Sequence, residues 1–337
     1  MEFGKVGSDI LPKIDFRLPE EDVRSWLQLS RRTSNLNSES EHFSFHLGCP
    51  AWGAKAWIGK VYPKGTPAAD FLHHYSRQFS TIELNTTHYR IPDTATIEKW
   101  REATHDGFRF CPKFPQTISH GNGLSLTHAV TNEFVTQIMK LETRLGMSFL
   151  QLPPHFAPRD LPELKKFLSF LPADFQLAVE VRHPAFFIDH QLIPPLFDLL
   201  NSTETSAVIL DVAGRRDVLH LSLPTNRCLI RFIGNDLHPT DALRMQDWSN
   251  RVISWQKLGL REMYFFMHQP DDVLAPEAVR QVADIFNREF DLLSPQALQA
   301  PIQSWNPLEP GSLTESNAGF DSQAAADDSN QLGFCFE

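Results

Sequence analysis

Two carboxylates stand where apolar runs give way to polar chain. Glu83 lies near the end of the run Thr81–Leu84 and is followed by Asn85; Glu180 lies in Leu177–Val181, just before Arg182 and His183. A carboxylate carried on a buried run is desolvated, which raises its pKa toward the working range of a general acid or base. In an extended chain residues 180 and 182 face one side, and Val179 and Val181 the other. Opposite charges turned into an interior need partners. Glu180 and Arg182 therefore read either as site groups or as an internal salt bridge that closes the core. Lys113, Arg182 and Arg231 end three different runs, and cations converging from separate elements suit a phosphate or carboxylate. His120 and His183 could supply proton transfer. Asp211 ends Ala207–Leu210 abruptly, as a base or ligand would. The expected catalytic set is Glu83, Glu180, His183 and Asp211. The expected substrate-binding set is Trp52, Asn85, Tyr89, Arg90, Lys113, His120, Gln151, Arg182, Arg231 and His268, with the rings of Trp52 and Tyr89 as flat walls.

Eight short apolar runs carry these residues: Phe43–Leu47, Thr81–Leu84, Phe108–Cys111, Phe149–Leu152, Leu177–Val181, Ala207–Leu210, Cys228–Ile233 and Met263–Met267. They are continuous rather than alternating, as in parallel strands covered on both faces. Helix-period segments separate them, among them Thr96–Ala103, Leu161–Leu171 and Asp241–Leu258. A doubly wound open sheet and a closed barrel share this alternation, and eight units predict the barrel, a TIM-type (β/α)8 fold. Its C-terminal strand ends converge on one mouth, which makes the scattered polar residues neighbours. The Val212–Arg227 connection is short, so one βα unit is predicted to be incomplete. Asp160-Leu-Pro-Glu163 predicts a capping box. Residues 1–40 form an extension with a short helix after Pro19-Glu20-Glu21-Asp22, residues 41–295 the barrel, and residues 296–337 an acidic flexible tail.

No apolar run approaches the roughly 18 residues of a membrane span, and the first residues lack the design of a secretory signal, so a cytoplasmic protein is expected. Four cysteines at 49, 111, 228 and 335 form no C-x-x-C pair, which argues against a zinc ribbon or a disulfide framework. Net charge is −10, and from residue 301 onward there are six acids and no Lys or Arg. The remaining body is only mildly acidic and is no electrostatic magnet for nucleic acid. Glu83, Glu180, His183, Asp211 and His268 are hard or borderline donors around one mouth, so a divalent metal is one expectation, though no H-x-H or H-x-x-x-H spacing supports it. Gly121-Asn-Gly-Leu-Ser125 lacks the lysine of a phosphate loop. The terminal Gln331-Leu332-Gly-Phe334-Cys-Phe336 is similar to the short motif by which bacterial replication proteins bind the sliding clamp, with a flexible arm offering apolar anchors to a groove.

Several stretches together resemble one family. Gly48-Cys-Pro-Ala-Trp52 with Trp57, Gly59, Tyr62 and Pro63 resembles the opening motif of the YecE-like proteins, domain-of-unknown-function family 72. Ile82-Glu83-Leu84-Asn85 with Tyr89-Arg90, Phe108-Arg-Phe-Cys-Pro-Lys113, Ile118-Ser-His120, Gln151-Leu-Pro-Pro154, Val179-Glu180-Val-Arg182-His183 and Asp211 follow in that family's order. The resemblance implies a TIM-type barrel and no particular activity. The chain departs from the family pattern at His88, where Phe is usual, and at Phe186, where Trp is usual. It departs again at Ile233, where the family's Arg-x-His-Gly has His, and at Met267-His268, where paired asparagines are usual. The leading expectation is acid–base hydrolysis or isomerisation of a small phosphate- or carboxylate-bearing substrate. A second is a metal-dependent phosphodiesterase on nucleic acid, similar to endonuclease-IV-type barrels and recruited by the tail. A third, favoured by Ile233, Met267 and His268, is a barrel that captures a ligand without turnover.

Overall fold

The computed structural model describes residues 4–34, 43–121, 123–124, 127–293 and 302. The clamp-motif residues Gln331, Leu332, Phe334 and Phe336, and most of the acidic tail, lie outside them. Eight parallel strands form one sheet: β1 (Ser44–Cys49), β2 (Thr81–Leu84), β3 (Arg109–Pro112), β4 (Ser148–Gln151), β5 (Leu177–Glu180), β6 (Ser206–Asp211), β7 (Arg227–Ile233) and β8 (Glu262–His268). Their order is β3-β2-β1-β8-β7-β6-β5-β4. The two outer members meet again through the bridges Phe110 to Leu145 and Lys113 to Phe149, with Gly146 N–H donating to Phe110 O at 2.7 Å and Phe114 N–H to Phe149 O at 2.9 Å. The sheet thus curls into a TIM-type barrel, as the eight runs predicted.

Alternation along each strand sorts its side chains. The odd-numbered side chains of β3 and β4 and the even-numbered ones of β5, β6 and β8 turn inward. There Cys111, Phe149, Ala178, Val208, Leu229, Tyr264 and Phe266 form a fully enclosed apolar plug. The opposite parity (Leu47, Ile82, Ile209, Ile230 and Phe265) packs outward under the helices. Burying such side chains contributes about 1.5–3 kcal/mol each, and the plug leaves the polar strand ends as the floor of the mouth.

Gly48 is required by the close approach of β2 to β1. A Cβ there would stand 2.0 Å from the Thr81 carbonyl oxygen. Beside it the Tyr75 hydroxyl accepts from Cys49 N–H at 2.8 Å and donates to Thr81 O at 3.0 Å, tying the strands together. Gly48→Ala is expected to cost about 3 kcal/mol, the upper end for overpacking, read as a lower urea midpoint; an unchanged midpoint would show that β1 and β2 can part freely.

Besides the single helical turn Gln116–Ser119, the helices among the described residues are α1 (Val23–Ser34), α2 (Phe71–Ser76), α3 (Thr94–Ala103), α4 (His128–Met139), α5 (Leu161–Phe170), α6 (Pro194–Ser202), α7 (Pro239–Leu258) and α8 (Ala275–Leu293). The expected capping box at Asp160 is corrected: the Asp160 side chain caps no N–H of the helix it precedes, and its carboxylate instead accepts from Ala157 N–H at 2.8 Å. Between β6 and β7 there is only the 3-10 turn Ala213–Val218, as the short connection predicted. The wall is completed there by α1. Leu223 N–H donates to Ser25 Oγ at 2.7 Å, and the Ser222 hydroxyl donates to the buried Asp22 carboxylate at 2.6 Å. The Arg24 guanidinium lies 4.4 Å from the Phe197 ring of α6, while Arg251 of α7 pairs with Glu21 at 3.2 Å. The N-terminal helix thus occupies the berth of the missing sixth helix. Ahead of it the chain crosses the mouth side of the barrel, where Gly4, Val6 and Leu11 share a cavity of about 100 Å³ with Val212, Ile233 and Pro270.

Candidate functional site

The floor of the mouth is a chain of charges laid across the barrel. Glu83 is the penultimate residue of β2, Glu180 ends β5, and Arg231 lies in β7 between them, all three essentially without solvent exposure. Arg231 donates from Nε to Glu83 Oε2 at 3.0 Å, from Nη2 to Glu83 Oε1 at 2.9 Å and from Nη1 to Glu180 Oε2 at 2.8 Å. The network continues on both sides. Asn85 Nδ2 donates to Glu83 Oε1 at 2.9 Å, and His268 Nε2 meets Glu83 Oε2 at 2.9 Å. Arg182 Nε donates to Glu180 Oε1 at 2.6 Å, and its Nη2 to Gln151 Oε1 at 2.8 Å. Buried charges persist only when paired and hydrogen-bonded, and all four carboxylate oxygens here have such partners.

This pairing sets the protonation states. Burial pushes the Glu83 carboxyl up, but Arg231 and His268 more than offset it and hold it well below the usual carboxylate range. Burial likewise opposes ionisation of Glu180, yet Arg182 and Arg231 bring it down to about 2. For Arg231 burial works against the charge, and the two glutamates hold the guanidinium above its ordinary value. Both readings of Glu180 and Arg182 thus meet: the internal salt bridge exists, and it forms the floor of the site.

Lys113 is the exception in this network. Its backbone is fixed on both sides, with its N–H donating to Leu84 O at 3.1 Å and its carbonyl accepting from the Thr87 hydroxyl at 2.7 Å. Its side chain is 9 % exposed, and among the described residues no carboxylate lies within ion-pair distance of Nζ. Burial, then Arg231, bring its pKa down to about 8; Glu180 and Glu83 pull the other way but do not compensate. With Arg182 and Arg231, it makes three cations facing two carboxylates, so the surplus positive charge falls on Lys113.

Two histidines border the lysine. His88, buried on the 3-10 turn Asn85–His88, donates from Nδ1 to Phe114 O at 2.8 Å. Burial and then Lys113 bring its pKa down to about 4, so it is neutral at pH 7 and presents Nε2 as an acceptor. Its ring lies 5.6 Å from that of His120, whose Nδ1 meets the Ser119 hydroxyl at 2.7 Å. The His120 pKa is also lowered, by burial and by Lys113. His88 was not among the expected site residues, although its departure from the family pattern was a visible signal.

The other expected residues fall outside this group. Asp211 is corrected: its odd parity on β6 turns it outward with Ile209, beneath α7. There Arg244 pairs with it at 2.9 Å, Arg216 closes on its other side, and Trp248 Nε1 donates to it at 2.7 Å. Against burial, Arg244 and Arg216 hold its pKa low. It braces the wall and lines no common hollow with Glu83, Lys113 and Glu180. His183 is half-buried and uses Nδ1 to accept Ala185 N–H at 3.1 Å, capping a turn. Tyr89 is 56 % exposed and Arg90 is also exposed, and Trp52 is half-buried with its ring edge-on to Trp100. Cys49 and Cys111 are buried, which pushes both thiols well up and away from nucleophilic use. Among the described residues no three of His, Cys, Asp and Glu gather as a metal would need, and no helix is long and apolar enough to cross a membrane.

Known proteins share this frame. Residues 46–303 match the family described as "Protein of unknown function DUF72". UPF0759 protein YecE of Escherichia coli K12 is 36% identical over 252 residues, 69% of this chain and 89% of that protein. UPF0759 protein YunF of Bacillus subtilis is 21% identical over 286 residues, 75% of this chain and 98% of that one. In solved structures, a DUF72 family protein of Enterococcus faecalis superposes with a TM-score of 0.59 at 18% identity, covering 72% of this chain and 95% of that chain. One from Thermotoga maritima gives 0.55 at 20%, covering 72% and 98%. The family match over residues 46–303, which runs through both mouth glutamates, together with the 36% identity to YecE, places this chain in the DUF72 family.

Proposed function

We propose that the chain is an enzyme whose barrel mouth binds a small substrate bearing a carboxylate or phosphate and moves a proton on it. The observation that carries this reading is Lys113, a buried cation left without a carboxylate partner beside two arginines. A bound anion supplies the missing countercharge. Arg182 and Gln151 border the same opening, while Glu83, Glu180 and Arg231 hold the floor rigid beneath it. The acid–base part expected of Glu83 and Glu180 passes to Lys113. Carboxylates held fully ionised are poor acids and weak bases near neutrality, whereas an amine near pH 8 is matched to proton transfer there. The phosphodiesterase reading needs donor oxygens available to a metal, and those of Glu83 and Glu180 already accept from Arg231 and its neighbours.

Titration calorimetry with inorganic phosphate and with pyruvate tests this. A charge-assisted hydrogen bond contributes about 1.5–3 kcal/mol, so Lys113→Gln is expected to weaken binding roughly 10- to 100-fold. In the native protein affinity is expected to fall as pH rises through about 8, where Lys113 loses its proton. Equal affinity of native and Lys113→Gln proteins for both anions would sink the reading.

A further inference from the structure

We propose that Lys113 is a covalent nucleophile, forming an imine with a small aldehyde or ketone that carries a carboxylate or phosphate next to its carbonyl. This deepens the anion-site reading and rests on it.

The argument starts from what a lysine needs in order to attack a carbonyl. Its amine must be unprotonated, held in place and reachable. Lys113 has its backbone clamped by Leu84 O and the Thr87 hydroxyl, and it sits at the junction where β3 meets β4. Among the described residues no carboxylate lies within ion-pair distance of Nζ to stabilise the ammonium. Placing a desolvated lysine beside other cations is a recognised way of activating it, and Arg231 and Arg182 both act on it in this sense. The side chain is buried but not sealed, unlike the floor residues Glu83 and Arg231. A lysine meant only to balance charge would pair with Glu83 or Glu180, yet Arg231 holds that position between them.

The step balances without an outside redox partner. The Nζ lone pair adds to the carbonyl carbon, the C=O π pair moves to oxygen, and a proton passes from nitrogen to that oxygen. The carbinolamine then loses its oxygen as water, which takes one further proton from solvent, while the nitrogen lone pair closes the C=N bond. The product is an iminium with one positive charge, the same charge as the ammonium it replaces. While its nitrogen holds that proton, the iminium gives the adjacent anion a countercharge and can draw electrons from the neighbouring carbon.

The test is reductive trapping on the full chain. The protein is incubated at pH 8 with pyruvate in one arm and glycolaldehyde phosphate in the other, and then treated with borohydride, which delivers hydride to the C=N carbon and leaves a stable secondary amine. Peptide mass spectrometry is expected to place one adduct on Lys113, in roughly hundredfold excess over exposed lysines, whose pKa is near 10.4. The adduct is expected to vanish in Lys113→Met and Lys113→Arg, and the arm that labels tells carboxylate from phosphate. Calorimetric binding of pyruvate or inorganic phosphate that Lys113→Met abolishes, with no adduct in either arm, would overturn the imine and keep the anion site. Neither binding nor adduct would overturn both. Labelling of Lys113 no faster than that of exposed lysines would overturn the nucleophile.

Discussion

Arg231→Met is expected to lose about 3–5 kcal/mol of stability, the usual cost of stripping the partner from a buried charge. Methionine has nearly the right length, so the loss is electrostatic rather than a cavity. Glu83 would keep Asn85 and His268, and Glu180 would keep Arg182, but the bidentate grip and the link between the two carboxylates would go. The pH dependence identifies the cause. In the native chain Glu180 has its pKa lowered from 4.5 to about 2, so its contribution is fully present above pH 4.5 and lost as pH falls toward 2. The difference between native and Arg231→Met proteins is therefore expected to be widest above pH 4.5 and to narrow below it. Urea midpoints at a constant m-value measure this; a deficit below about 0.5 kcal/mol at pH 7, the size of an ordinary surface change, would mean that Arg231 does not hold the floor.

Lys113→Met is expected to act in the opposite direction, stabilising the fold by on the order of 3 kcal/mol at pH 7. The sign follows from the direction of the shift. Folding lowers the Lys113 pKa from 10.5 to about 8, so the folded chain gives up a proton that the unfolded chain keeps. The penalty is complete below pH 8 and gone above 10.5, so the advantage of the variant is expected to shrink across that interval. Thermal unfolding at pH 7 and pH 10 reads it directly. A melting temperature at pH 7 equal to or below the native one would show that Lys113 is no strained group. Two cations in one mouth would thus respond oppositely to removal, Arg231 as structure and Lys113 as strain kept for use. Such strain at working residues is a common reason that natural chains stay below their attainable stability.

The fold was legible because its signal is local and repeated. The β2 bounds match Thr81–Leu84 without adjustment, and the short Val212–Arg227 connection gave away the missing helix. What fills that gap was not legible, because the berth of α1 is made by residues far away in sequence. The candidate site was legible as a list and not as a network. Parity correctly turned Glu180 and Arg182 inward together. The same rule applied to Asp211 would have turned it outward, but abruptness at a strand end hid this. Arg231 looked like an anion hook beside Lys113, and only the cross-barrel geometry separates the arginine engaged by two glutamates from the lysine engaged by none. His88 was visible as an oddity and not as a neighbour of Lys113, since a buried histidine on a turn is more often plain packing.

The seam sealed by α1 also bears on how the molecule is made. Ser25 and Leu223 lie 198 residues apart, and Asp22 and Ser222 lie 200 apart. On the ribosome α1 leaves before the segments that form its resting place, which is complete only after α7 has emerged. Its amphipathic face must therefore wait in water while those segments are translated. A chaperone that shields this stretch during synthesis would shorten the interval in which the newborn chain can go astray.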